Sequence, residues 1–254
     1  MKKSILYLIV GTVVAISILY FPNLYGIVQL REDNRPANAL SRLWMGTRDL
    51  RIVKPLTTQV TVLRVEGNGH QIGLHIQPGN TNFMNSSDVH DYRVERVGDT
   101  LILHASNGFD AHISLAVPPK EVIFNKVIGS LNYRFDQTSL KLVANQHTRL
   151  TVRGGQGRER RPHLDSIALT VNERSVVNLS ELEVTDLSAI IQNGEVNYTT
   201  SLKADSIHAD LRGKSTIKSD KREDNQQVKH LVVSGNAGFF KNEFAGRGVS
   251  IKRN

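Results

Sequence analysis

The sequence predicts an all-β chain: a β-solenoid of stacked, roughly 20-residue rungs, preceded by β-hairpins and by one N-terminal transmembrane helix. Three observations predict it. Ile167, Leu187 and Ile207 stand 20 residues apart, as do Leu169, Ala189 and Ala209, then Val171, Ile191 and Leu211, and also Leu164, Val184 and Ala204. Within each copy the last three columns are two residues apart, the alternation of a strand with one buried face. A fixed period near 20 residues marks stacked repeats rather than a closed globule. Before these copies, short alternating runs are separated by Gly, Asn, Asp and Pro, and before those lies an uncharged segment at the amino terminus.

Taken in order, Met1-Lys2-Lys3-Ser4 precedes Ile5 to Phe21, seventeen residues without charge, and apolar character continues to Ile27. A helix through Ile5 to Tyr25 would be roughly 30 Å long, the thickness of a bilayer core. The basic residues before it place residue 1 in the cytoplasm and the bulk of the chain outside. A cleaved signal peptide is the competing reading, with Val13-Val14-Ala15 as its cleavage site. Six apolar or small residues follow that triplet, so an uncleaved anchor fits better. Either reading exports the chain to the periplasm or cell surface. Residues 1–27 are therefore read as a signal-anchor or transmembrane helix, 28–48 as a juxtamembrane linker and 49–254 as the solenoid domain.

From Leu50 the alternation begins. Val60 to Val65 and Gln71 to Ile76, around Gly67-Asn68-Gly69, read as a hairpin. Gln77 to Asp88 reads as a polar loop. Tyr92 to Val97 and Thr100 to His104, around Gly98-Asp99, make a second hairpin, and His112 to Val117 is a strand stopped by Pro118-Pro119. Val122 to Tyr133 then forms an irregular first coil, and Leu140 to Val152 a second. A Gly- and Arg-rich insertion, Gly154 to His163, precedes the three regular copies. After a polar insertion at Lys221 to Gln227 the beat resumes 24 residues on, at Val228, Leu231 and Val233. Insertions between rungs are well tolerated in such stacks. Phe239, Phe240 and Phe244 read as a hydrophobic cap.

Composition narrows the function. The 254 residues contain no Cys, which removes disulfides, thiol catalysis and Cys-based zinc sites. With 6% aromatics and one Trp, stacking platforms for bases or sugars are scarce. The net charge of +8 favours anionic surfaces such as head groups or acidic glycans, and export argues against nucleic acid.

Chemistry-bearing motifs are few. Gly154-Gly155-Gln156-Gly157 opens no helix, so it cradles no phosphate. His104 and His112 flank a turn near Asp110 and could meet across a hairpin, but two ligands without a third make a weak metal site. A glycoside hydrolase on stacked rungs would show paired acids 20 residues apart. The column Asp165, Thr185, Asp205 is interrupted by Thr185, and Asp186 falls between Ser166 and Ser206. No cofactor and no catalytic residue is expected. The binding candidates are the basic residues Arg153, Arg158, Arg160 and Arg161, with Arg212 and Lys214 near a rung corner, suited to phosphate or sulfate groups on a glycan or lipid.

Val94-Glu95-Arg96-Val97-Gly98-Asp99-Thr100-Leu101-Ile102, the Ile113 to Pro118 strand and the rungs from Val122 to Val233 together resemble the autotransporter-adhesin head domains, also called GIN domains, and related adhesin-like domains. The likeness spans about Asp49 to Gly248. The doubled proline, the Arg-rich insertion and the scarcity of rung glycines depart from that pattern. The resemblance implies a solenoid that is exported or anchored and has no assigned catalytic residues. The expectation is a membrane-anchored, extracytoplasmic, non-catalytic binding or structural module at the cell envelope, with an anionic glycan or an envelope protein as partner. The alternatives are a polysaccharide-acting enzyme and an anchored lipid or glycolipid bridge.

Overall fold

The strands sort by the alternation of their side chains. The computed structural model describes residues 7, 9–14, 28–30, 51–56, 59–86, 91–154, 162–199, 201–219, 227–236 and 249–251. In chain order the strands are β1 (Val28–Leu30), β2 (Arg51–Pro55), β3 (Val62–Glu66), β4 (Gln71–Pro78), β5 (Phe83–Ser86), β6 (Tyr92–Val97), β7 (Thr100–Ala105) and β8 (Phe109–Leu115). There follow β9 (Glu121–Asn125), β10 (Ile128–Tyr133), β11 (Gln137–Asn145), β12 (Arg149–Arg153), β13 (His163–Asn172) and β14 (Val176–Ser180). The last are β15 (Glu183–Gln192), β16 (Glu195–Tyr198), β17 (Lys203–Arg212), β18 (Thr216–Ser219), β19 (Gln227–Gly235) and β20 (Val249–Ile251).

These form two large mixed sheets. The first runs β1-β2-β5-β8-β4-β10-β12-β14-β16-β18, the second β20-β19-β17-β15-β13-β11-β9-β3-β7-β6. From β9 to β19 the chain passes alternately from the second sheet to the first. From β9 to β17 each strand pairs in parallel with the strand two places on, so one strand from each sheet makes a rung.

The expected columns are present without slip. Leu164, Val184 and Ala204 are in register, as are Ile167, Leu187 and Ile207. All twelve column residues are at most 3% exposed. Facing them across the core are Leu150, Val152, Val177, Leu179, Val196 and Tyr198 from the first sheet. Each such aliphatic side chain contributes roughly 1.5–3 kcal/mol by leaving water. The resumed beat is also found, with Val228, Leu231 and Val233 opposite Ala204, Ile207 and Ala209. Ile190, the apolar residue expected on the outward side, is 38% exposed.

Corners are fixed by buried hydroxyls and by residues in the left-handed region. Thr148, Ser175 and Ser215 are fully buried at the same corner of the β11–β12, β13–β14 and β17–β18 rungs. Thr148 Oγ1 donates to the Asn145 carbonyl at 2.6 Å, and Ser215 Oγ donates to the Ile191 carbonyl at 2.7 Å. Beside them an amide ladder climbs the second sheet. Asn125 Nδ2 donates to Glu66 at 2.8 Å, Asn145 Nδ2 to Asn125 Oδ1 at 3.2 Å, and Asn172 Nδ2 to Asn145 Oδ1 at 2.9 Å.

Three expectations are corrected. The runs around Gly67-Asn68-Gly69 are not a hairpin. β3 and β4 lie in different sheets and form a rung of their own, with Asn68 (φ 49°) and Gly69 (φ 87°) turning its corner. The coil of β9 and β10 is not the first either. It stacks on the rung of β3 and β4, whose other side carries the rung of β7 and β8. Nor is Gln77 to Asp88 all loop, since β5 pairs antiparallel with β8 and with β2. The hairpin of β6 and β7 around Gly98-Asp99 is as expected.

In the expected linker, Val28–Leu30 is a strand paired with β2. Of the expected membrane helix, Tyr7 and residues 9–14 are helical and exposed. Among the described residues no helix is long and apolar enough to cross a membrane. The phenylalanine cap lies outside the described residues.

Candidate functional site

Alternation sends every second side chain of the first sheet outward. In-register parallel pairing then lines those side chains into columns. One column runs Asp110, Gly73, Ser130, Thr151, Asn178, Asn197. Its members come from β8, β4, β10, β12, β14 and β16, so the middle of the column exists only because the rung of β3 and β4 is inserted out of sequence order.

A cleft of about 600 Å³ opens along this column, and Gln71, Gly73, Asp110, Ser130, Thr151 and Asn178 are among its lining residues. Gly73 forms its low point. A Cβ there would fall 1.7 Å from Asp110 Oδ1, so the carboxylate occupies the place of the missing side chain. Arg149 and Ile128, the latter 45% exposed, line it one column upstream.

The far end of the cleft is held by a hydrogen-bonded set. Asn197 Nδ2 donates to Asn178 Oδ1 at 3.0 Å and to Glu195 Oε1 at 2.9 Å, while Lys218 Nζ reaches Glu195 Oε2 at 3.1 Å. Burial alone would raise the Glu195 pKa, but the bonds from Asn197, Lys218 and Thr216 outweigh it and hold the carboxyl below its ordinary range. Asn178 is therefore presented in a fixed orientation.

The near end is flanked by another outward column, Asn85, His112, His75, Asn132, Arg153. The rings of His75 and His112 stack with centroids 4.3 Å apart and planes 9° from parallel. Asn132 Nδ2 lies 3.1 Å from His75 Nδ1. Burial pushes the His75 pKa below its usual 6.5, and the Arg134 charge adds to this while Asp110 opposes it. A lowered folded-state pKa means the unfolded chain takes up the proton first. The stability contributed by neutral His75 is complete above about 6.5 and is lost as the pH falls from there through the folded value. We expect His75→Asn to flatten the fall in urea midpoint between neutral and mildly acidic pH. An unchanged slope in the variant would remove His75 as its source.

The structure separates the basic candidates. Arg153 lies on the cleft face, in register with Asn132 and Ser180. Arg212 and Lys214 lie at the corner following the second sheet, and Arg212 is held by Asp210 at 2.8 Å. Arg158, Arg160 and Arg161 lie outside the described residues. His104 and His112 do not meet: β7 is in the second sheet and β8 in the first, and His104 instead contacts Glu95 at 3.2 Å. Among the described residues no group of three or more His, Asp or Glu could hold a metal ion. Of the acids considered for catalysis, Asp205 is paired with Lys229 at 2.7 Å and Asp165 lies 3.4 Å from His163, both outside the cleft.

Apart from Asp110, named beside His104 and His112, the cleft residues were not singled out from sequence. The outward Asn178 and Asn197 carry a signal in their spacing and repeat type, but Gly73, Asp110 and Ser130 come from three distant stretches with no shared beat.

No family model matches the sequence, and no curated protein matches it. Solved structures with a similar trace include a putative adhesin from Parabacteroides merdae, 12% identical, covering 80% of this chain and 91% of its own, with a TM-score of 0.45. A putative lipid binding protein from Parabacteroides distasonis is 8% identical, covers 79% of this chain and 91% of its own, and gives 0.45. A putative adhesin from Bacteroides fragilis is 14% identical, covers 80% and 94%, and gives 0.38. Likenesses of this size leave ligand and activity to the residues of the chain itself.

Proposed function

We propose that this chain is a membrane-anchored, extracytoplasmic β-solenoid of the GIN type, acting as a non-catalytic binding module at the bacterial cell envelope. The carrying observation is the outer face of the first sheet: a rigid, in-register wall of polar side chains that opens into one cleft. Its main-chain groups are engaged in parallel ladders, so a ligand is met by side chains alone. Asp110 is the one carboxylate among the described residues lining the cleft, whereas glycoside hydrolysis uses two. Among the described residues the apolar interior is filled by side chains from both sheets, which counts against a lipid channel between them. Anchoring is supported at the amino terminus. Tyr7, Ile9, Val10, Val13 and Val14 are each at least 46% exposed on their helix, and Gly11 has no neighbour within 4 Å of an added Cβ. Such a surface calls for lipid rather than water.

Fractionation of cells expressing the full chain tests this reading. We expect the protein in the membrane pellet after a high-salt wash, with Cys introduced at exposed Ser188 labelled by an impermeant maleimide in intact spheroplasts. Recovery in the soluble cytoplasm, or labelling only after lysis, would overturn it.

A further inference from the structure

We propose that the cleft takes an extended, uncharged polysaccharide lying across the rungs, perpendicular to the strands. This rests on the binding-module reading and names its ligand.

The geometry of the wall sets the repeat. Neighbouring parallel strands are about 4.8 Å apart, about the length of one extended pyranose unit. The column offers polar side chains along that direction: the carboxylate of Asp110, which also covers the Gly73 position, the hydroxyls of Ser130 and Thr151, and the amide of Asn178. These are the donors and acceptors that sugar hydroxyls and N-acetyl groups pair with. At Gly73 a sugar ring meets the Asp110 carboxylate, which occupies the place of the missing side chain. At Asn178 the amide is already oriented by Asn197, so less ordering is needed on binding.

Other ligand classes fit less well. An extended peptide recognised by strand addition needs a free sheet edge, and the cleft lies on a sheet face. A polyanion needs several cations, whereas Arg149 is the one basic residue among the described residues lining the cleft, and Asp110 lines it too. A lipid tail needs an apolar lining, and this one carries Gln71, Asp110, Ser130, Arg149, Thr151 and Asn178 beside its three apolar side chains. The exposed side of Ile128 gives a sugar ring an apolar contact, and Phe109, the one aromatic among the described lining residues, is only 6% exposed. Affinity therefore comes from hydrogen bonds summed over rungs and grows with chain length.

The test uses the full chain in detergent micelles, with calorimetry against chitohexaose, cellohexaose, their trisaccharides and a heparin hexasaccharide. One neutral hexasaccharide is expected to bind with weak dependence on salt, and its trisaccharide at least about tenfold more weakly, the worth of one or two lost hydrogen bonds. Thr151→Ala and Asn178→Ala are each expected to weaken the hexasaccharide about fivefold, and Gly73→Leu to abolish its binding. Ser188→Ala, on the second sheet, should bind as the parent does, and circular dichroism verifies that each variant is folded. Equal affinity for trisaccharide and hexasaccharide, binding of heparin alone, or full binding by folded Thr151→Ala and Asn178→Ala would each overturn the proposal. Binding of heparin with no neutral sugar bound would overturn the ligand class and leave the module reading standing. If none of these sugars binds, the ligand class falls, and the module reading falls with it only if the fractionation also finds the chain in the soluble cytoplasm.

Discussion

Leu187→Asp is expected to unfold the chain, and Ser188→Asp, one residue on, to leave its stability within about 0.5 kcal/mol of the parent. Leu187 is 1% exposed and sits in register between Ile167 and Ile207. A carboxylate there has no partner on either neighbouring rung. It must either shed its hydration or take up a proton inside an apolar column, and either costs several kcal/mol. That is a large part of the 5–15 kcal/mol that ordinarily holds a domain folded. Ser188 points outward between Ala168 and His208, where a carboxylate stays in water. Thermal melts followed by circular dichroism separate the two. Equal destabilisation by both would mean that the inward and outward positions have been misassigned.

Gly129→Ala is the second variant with a large expected effect. Gly129 is opposite Ile72 in the pairing of β10 with β4. A Cβ at Gly129 would lie 1.8 Å from the Ile72 carbonyl oxygen and 2.8 Å from its carbon. Those atoms are backbone, so no side chain can swing aside, and the two strands must part or slide. Overpacking of this kind usually costs about 1–3 kcal/mol, and a clash with main chain belongs at or above the top of that range. The melting temperature should fall by several degrees or more. A silent Gly129→Ala would show that β10 does not pack on β4, and the cleft between them would lose its floor.

How much of this was legible depends on what each signal encodes. The copies from Leu164 to Leu211 could be read because no residue is inserted or lost between them, so one interval places every inward side chain. The resumption at Val228 survived an insertion because its internal spacing was kept. The stacking order of the early strands was not legible. Alternation shows which face is buried but not which strand lies alongside, and Gly67-Asn68-Gly69 has turn chemistry that suits a hairpin and a rung corner equally. Other corners gave no turn signal, since Lys126, Glu173 and Arg174 occupy the left-handed region with φ of 53–60° although their side chains rarely mark turns. The cleft was hidden for the same reason as the stacking order: Asp110, Gly73 and Ser130 become neighbours only once β3 and β4 are placed between β7, β8 and β9, β10. Of the basic residues conspicuous in sequence, the described ones are divided by the fold, Arg153 on a sheet face and Arg212 and Lys214 at a corner.

The placement of that early rung carries the wall, the cleft and its ligand, and the absence of native cysteine makes it directly testable. Arg64 is opposite Ile123 on one side and Ile102 on the other, so β3 separates β7 from β9. Oxidation of Arg64→Cys/Ile123→Cys and of Ile102→Cys/Ile123→Cys, followed by non-reducing electrophoresis, measures which strands touch. Neighbouring strands bring Cα atoms within disulfide reach and strands two rungs apart do not. The 64–123 pair is expected to close readily and the 102–123 pair to stay reduced. Closure of 102–123 with 64–123 left open would put β7 directly against β9 and dismantle the cleft.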